Sequence, residues 1–133
     1  MFGSKTKLLV VEDMLMMRKI IIKACNEIGF TDITEASDGT VAWQALQEAN
    51  PPHDLIITDL TMPIADGIDL LRRMRTDSRF KSIPLVLMVT EAELNDVAES
   101  VIEEANAVIT KPFTRETLRE KLETVYKNLS KVP

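Results

Sequence analysis

Cysteine is almost missing from this chain: Cys25 stands alone, so no internal disulfide can form, and a reducing, cytoplasmic setting is expected. Histidine is equally scarce, with only His53, which leaves no Cys/His cluster from which to build a zinc site. No apolar run approaches the ~18 residues of a membrane span, and residues 1–4 lead into Lys5 and a short apolar run too brief for a signal-peptide core, so neither a bilayer nor export is expected. An excess of positive charge is also lacking. Sixteen basic residues against twenty-one acidic ones give a net charge of −5, which argues against non-specific binding to nucleic acid or anionic lipid and favours proteins or cations as partners. Repeats, low-complexity tracts and Pro/Gly/Ser-rich linkers are absent; Asn50, Pro51, Pro52 and His53 read as a turn. A chain of 133 residues with 45% hydrophobic content is therefore expected to fold around one core, with no separate output module.

Five short apolar runs are present, at 8–11, 33–36, 55–57, 85–89 and 107–109, and each reads as a strand. The first, third and fourth lack polar alternation, as strands covered on both faces of a parallel sheet do. Helical spacing lies between them. Met17, Ile20, Ile21, Ala24 and Ile28 form one stripe, and Ala42, Ala45, Leu46 and Ala49 a second; Leu94, Val97, Val101 and Ala105 form another, and Leu118, Leu122, Val125 and Leu129 the last. A shorter helix fits 68–75 behind Asp66 as N-cap, and Thr114 marks the start of the final helix. Five strands alternating with five helices predict an α/β, doubly wound, five-stranded parallel sheet.

Ligands of such sheets bind beyond the carboxyl ends of the strands, where the strand order reverses. Here the first strand runs out into Glu12 and Asp13, the third into Thr58 and Asp59, the fourth into Thr90, and the fifth into Thr110 and Lys111. With the order 2-1-3-4-5, Glu12, Asp13 and Asp59 converge. Three crowded carboxylates repel unless a cation offsets them, and an all-oxygen ligand set favours Mg²⁺, which keeps positions open for water and phosphate oxygens. Lys111 supplies a point charge for phosphoryl oxygens, and Thr90 a hydroxyl donor. A carboxylate, a metal, a lysine and a hydroxyl are the parts needed to form an aspartyl phosphate.

The segments Val10-Val11-Glu12-Asp13, Ile57-Thr58-Asp59-Leu60-Thr61-Met62-Pro63 with Asp66-Gly67, Met88-Val89-Thr90 and Thr110-Lys111-Pro112-Phe113 together resemble the receiver domain of two-component response regulators. Nearly the whole chain is covered, and the match is nearest to single-domain, CheY-type chemotaxis regulators. The resemblance implies a flavodoxin-like fold, the strand order that flavodoxin and CheY share, and one receiver domain over 1–133 with a core at about 6–129. It implies that Asp59 takes a phosphoryl group from the phosphohistidine of a CheA-like sensor histidine kinase. Asp13 and Asp59 would bind Mg²⁺ directly, with the Thr61 backbone carbonyl as a third ligand and Glu12 acting mainly through water. Lys111 would pair with the phosphoryl group across a commonly cis bond to Pro112. Thr90 would turn inward and reshape the face read by a target protein, such as a flagellar motor switch component; a phosphatase is a further possible partner. Such a chain is a phosphoacceptor that assists its own phosphorylation and dephosphorylation, not an enzyme acting on a separate substrate.

Several positions depart from the family pattern. Val108 stands where many receivers carry a rotating aromatic residue, and Glu91 follows Thr90 where a small residue is usual. The interval from Thr90 to Lys111 is one residue shorter than in CheY-type chains. Thr61 occupies a place whose side chain tunes dephosphorylation in the family. Two alternatives keep the fold: a receiver that binds partners without being phosphorylated, and a stand-alone phosphorelay intermediate. A flavin carrier would instead need a phosphate-holding loop after the first strand, where Glu12 and Asp13 repel phosphate; an aspartyl phosphohydrolase would need a second acid at Thr61.

Other residues carry local roles. Thr90 and Glu93 have the spacing of a capping box, a structural rival to the hydroxyl's phosphoryl role. Met17 is expected in the core, with Met14 and Met16 open between core and surface. Trp43 lies off its helix's apolar stripe and is expected to be partly exposed. His53 is far from the strand ends that build the site. Arg115, Arg119, Lys121 and Lys127 form a solvated face.

Overall fold

The computed structural model describes residues 1–62 and 64–129; Pro63 of the Asp59 motif and 130–133 lie outside the described residues. The strands are β1 (Lys7–Val11), β2 (Asp32–Ala36), β3 (Leu55–Asp59), β4 (Leu85–Val89) and β5 (Ala107–Thr110). The helices are α1 (Leu15–Ile28), α2 (Gly39–Glu48), α3 (Gly67–Arg75), α4 (Glu91–Asp96), α5 (Glu99–Glu104) and α6 (Arg115–Leu129). All strand pairs are parallel, in the order β2-β1-β3-β4-β5. The expected flavodoxin-like sheet is present.

Strand alternation divides the interior in two. Leu9, Val11, Ile56, Leu85, Leu87 and Val89 face a core closed by α2, α3 and α5. Leu8, Val10, Leu55, Ile57, Val86 and Met88 face a second core closed by α1 and α6. β3 and β4 are buried throughout: Leu55, Ile56, Ile57 and all of β4 face one core or the other, which accounts for their apolar runs, while Thr58 and Asp59 carry buried polar groups at the carboxyl end of β3.

Six helices replace the five expected. The stripe Leu94, Val97, Val101 and Ala105 predicted one helix, but the chain is extended at Val97 and Ala98, separating α4 from α5. Asn95, Asp96 and Val97 are poor helix formers, and the Asp96 carboxylate opposes the negative end of the helix dipole. The extended link still directs Val97, Val101 and Ala105 at the core, while Leu94 is left exposed.

Trp43 also differs from expectation. It is only 8% exposed, packed edge-on against Phe80 with ring centroids 5.3 Å apart, and the Arg73 guanidinium lies 4.2 Å over its ring. Met17 packs against the α1 core, whereas Met14 and Met16 are exposed. His53 is buried near the amino ends of the strands, its Nε2 3.3 Å from Thr34 Oγ1. Arg115, Arg119, Lys121 and Lys127 are exposed along α6, with Arg115 paired to Glu27 and Glu116.

Both expected caps are present: Asp66 opens α3 through a reciprocal capping box with Asp69, and the Thr114 hydroxyl accepts from the Thr117 N–H. At the other end of α3, Arg75 donates to the carbonyls of Glu104, Lys81 and Ile83 and to Asn106 Oδ1. That one guanidinium gathers the segments entering β4 and β5.

Candidate functional site

Register brings the charged residues to one level. Val11 of β1 pairs with Thr58 of β3, so the next residue, Glu12, comes level with Asp59; Val89 of β4 pairs with Thr110 of β5, so Thr90 and Lys111 emerge side by side. Glu12, Asp13 and Asp59 each offer a carboxylate oxygen, and these lie within 4.8 Å of one another. Lys111 Nζ donates to Asp59 Oδ1 at 2.7 Å, and the Leu60 N–H donates to the same oxygen at 3.1 Å. The Lys111–Pro112 peptide is cis.

Glu12 and Asp59 are 1% and 5% exposed, an unusual degree of burial for paired acids. Burial, then the facing Asp59 carboxylate, push the Glu12 carboxyl up to about 7, with Lys111 acting in the opposite sense. Burial alone would lower the basicity of Lys111, but its bond to Asp59 and the nearby carboxylates outweigh it and raise its pKa. Glu12 Oε2 is buried without a hydrogen-bond partner. An orphaned acceptor inside an all-oxygen cluster is the arrangement a hard divalent cation completes, so the donor set fits such an ion.

Asp13 is exposed at the mouth of the cluster. It is not a helix cap, because α1 starts behind Met14 with no side-chain cap bond. Arg18, one turn into α1, donates to the Glu12 carbonyl at 2.7 Å and to Glu35 at 2.8 Å, fixing the exit of β1. Spacing alone gave no signal for that contact.

Thr61 and Thr90 are both exposed at the rim. The Thr90 hydroxyl occupies the cap of α4, accepting from the Glu93 N–H at 3.1 Å, while Glu93 Oε1 accepts from the Thr90 N–H at 2.8 Å. The Thr61 hydroxyl donates to Glu93 Oε2. Sequence spacing had identified Glu93 as a capping partner only, and its bond to Thr61 adds a link between the exit of β3 and α4. Glu91 is the first residue of α4 and is exposed, and Val108 packs against the core. Gly67 was legible only as part of a motif. Its geometric reason is that a Cβ there would lie 2.4 Å from the Asp59 carbonyl oxygen.

Comparison with known proteins agrees with this geometry. Residues 8–123 match the response regulator receiver domain. The chain is 43% identical to chemotaxis protein CheY1 of Helicobacter pylori over 119 residues, covering 90% of this chain and 95% of that one. It is 38% identical to chemotaxis protein CheY of Pseudomonas aeruginosa over 124 residues, 93% and 98% of the two chains. The high-resolution structure of the chemotaxis response regulator CheY4 of Vibrio cholerae superposes with a TM-score of 0.78 at 28% identity, covering 90% of this chain and 98% of that one. Sheet order, acidic strand ends and relatedness along most of its length agree: the chain belongs to the response regulator receiver domain family.

Proposed function

We propose that the chain is a two-component response regulator in which phosphorylation of Asp59 switches the binding of a target protein. The observation that carries this reading is the 2.7 Å contact of Lys111 Nζ with Asp59 Oδ1 inside an acid cluster whose Glu12 Oε2 lacks a partner. In the proposed step the Asp59 carboxylate attacks the phosphorus of a phosphohistidine on a sensor histidine kinase. The phosphorus–nitrogen bond breaks, its electrons return to the imidazole, and an aspartyl phosphate forms. Because Lys111 and the Leu60 amide both hold Oδ1, Oδ2 is the oxygen left to act as nucleophile.

Asp13 and Asp59, with the Thr61 backbone carbonyl, would hold Mg²⁺, and Glu12 would support it mainly through water. When bound, the metal offsets the charge of the acids and of the incoming phosphoryl oxygens. Lys111 neutralises a phosphoryl oxygen, and Thr90 donates its hydroxyl to another once it leaves the α4 cap. These residues act on the protein's own phosphoryl group, so the chain is a phosphoacceptor and not an enzyme with a separate substrate.

Relatives named as chemotaxis proteins support a CheA-like kinase and a flagellar switch component as partners, with a phosphatase as a third. A cytoplasmic location fits such partners, and no helix among the described residues is long and apolar enough to cross a membrane. We assign the receiver domain to 1–133, with its core at about 6–129.

The test is incubation with Mg²⁺ and acetyl phosphate, or with beryllofluoride, followed by intact mass and NMR. Wild type is expected to gain one phosphoryl group and Asp59→Asn none. Absence of any response in wild type would leave a receiver that binds partners unphosphorylated. Onward transfer to a second histidine would mark a phosphorelay intermediate.

A further inference from the structure

None of the six residues of α4 is buried, whereas every other helix buries at least one. A helix this short does not persist in water on its own. It is held at its start, where Thr90 and Glu93 exchange two bonds and Glu93 Oε2 takes a third from Thr61. One carboxylate thus ties the first turn of α4 to the residue two positions beyond Asp59, across the mouth of the acidic pocket. At the far end the chain turns extended at Val97 and Ala98, and only Val97, just beyond the helix, packs against the core.

We infer that Glu93 is a positioning residue that latches the resting state, and that a phosphoryl group on Asp59 opens the Thr61–Glu93–Thr90 bridge and releases α4. The inference rests on the phosphoacceptor reading above. Its physical basis is competition for the same partners. The Thr90 hydroxyl must leave the Glu93 N–H to turn toward Asp59. Thr61 has one hydroxyl hydrogen, already donated to Glu93, and a phosphoryl oxygen at the neighbouring pocket attracts it as well. Lys111 lies close enough to Glu93 for their charges to attract, and the phosphoryl group would draw that ammonium toward itself. Each group that favours the closed bridge is therefore recruited away, while the added negative charge repels the Glu93 carboxylate. Opening α4 widens the adjoining cleft of about 430 Å³, where Leu60, Ile68, Val97 and Val101 lie.

Hydrogen exchange at the amides of Leu94 and Val97 reads the latch, because these donate to the Thr90 and Glu93 carbonyls at 2.9 Å. Wild type, Glu93→Ala, Glu93→Gln and Asp59→Asn are compared in Mg²⁺ with and without acetyl phosphate, with intact mass measured on the same samples. In phosphorylated wild type, exchange at both amides should rise roughly five- to tenfold, the scale of losing a helix cap. Glu93→Ala should exchange at that faster rate before phosphorylation and gain little from it. Glu93→Gln can still span both partners, accepting from the Thr90 N–H and meeting Thr61 through its amide group, so it should exchange slowly at rest; lacking the carboxylate charge that the phosphoryl group repels, it should respond to phosphorylation less than wild type does. Asp59→Asn should not respond to acetyl phosphate. Phosphorylated wild type with unchanged exchange, or Glu93→Ala indistinguishable from resting wild type, would overturn the latch and leave the phosphoacceptor reading intact. A mass showing no phosphorylation of wild type removes both.

Discussion

Lys111 Nζ meets Asp59 Oδ1 at 2.7 Å although β5 and β3, the strands that deliver them, are separated by β4. The lysine reaches across a strand end to a carboxylate that is almost fully buried beside another buried acid. Removing the ammonium leaves that pair with no positive side chain bonded to it. Lys111→Met should destabilise the metal-free protein by roughly 3 kcal/mol, as when one partner of a buried ion pair is lost. Magnesium should restore more stability to the variant than to wild type, because the metal becomes the main counter-charge. Urea unfolding with and without Mg²⁺ measures both effects, and equal metal responses would contradict the account.

Glu12 makes stability depend on pH. Its carboxyl titrates at about 7 in the fold against an ordinary value of 4.5, so between these limits the folded protein holds a proton that the unfolded chain has released. Stability of the metal-free protein should therefore fall as pH rises from about 4.5 to 7 and level off above. A divalent cation displaces that proton, so the stabilisation it confers should grow across the same window. Glu12→Gln should flatten both trends in a series of melts with Mg²⁺ or with a chelator.

Gly67 sets how closely α3 approaches the end of β3 that carries Asp59. The Cβ of an alanine there would fall 2.4 Å from the Asp59 carbonyl oxygen and 3.1 Å from Leu87 Cδ2, and the first of these neighbours is backbone. Gly67→Ala should cost about 1–3 kcal/mol, the range for overpacking, and should weaken cation binding by displacing Asp59. Calorimetric titration with Mg²⁺ beside a thermal melt tests the pair of effects. Loss of stability with unchanged affinity would mean that α3 yields and Asp59 does not.

Arg75 supports the opposite edge of the sheet. Its guanidinium serves three carbonyls and the Asn106 side chain; only the bond to the Ile83 carbonyl is partly buried, and Asn106 Oδ1 keeps the Leu85 N–H, so Arg75→Met should cost about 1–2 kcal/mol. Phosphorylation of Asp59 by acetyl phosphate should keep its wild-type rate in protein that remains folded. A slowed rate would show that the two edges are coupled.

What could be read from sequence follows from how locally each feature is determined. β1, β3 and β4 were legible because burial on both faces leaves an uninterrupted apolar run, and the site was legible because its polar groups sit where those runs end. The break between α4 and α5 was not, since the apolar spacing of Leu94, Val97, Val101 and Ala105 continues across it while the backbone between is extended. Trp43 was expected to be partly exposed because it lies off the stripe of its own helix, yet Phe80, distant in sequence, covers it. The link from Glu93 to Thr61 joins residues 32 positions apart, a separation no helical or strand period encodes.

The network around Arg75 divides the molecule mechanically. The entrances to β4 and β5 are riveted to the end of α3, whereas the rim carrying Asp59 and Thr90 is bounded by a helix with no foothold in either core. On the proposed reading, a rearrangement started by phosphorylation of Asp59 should stay at the rim where it begins and leave the floor beneath unchanged. A target that reads the proposed modification would then be expected to grip that rim, and tags or fusions anchored on the floor should leave the message undisturbed.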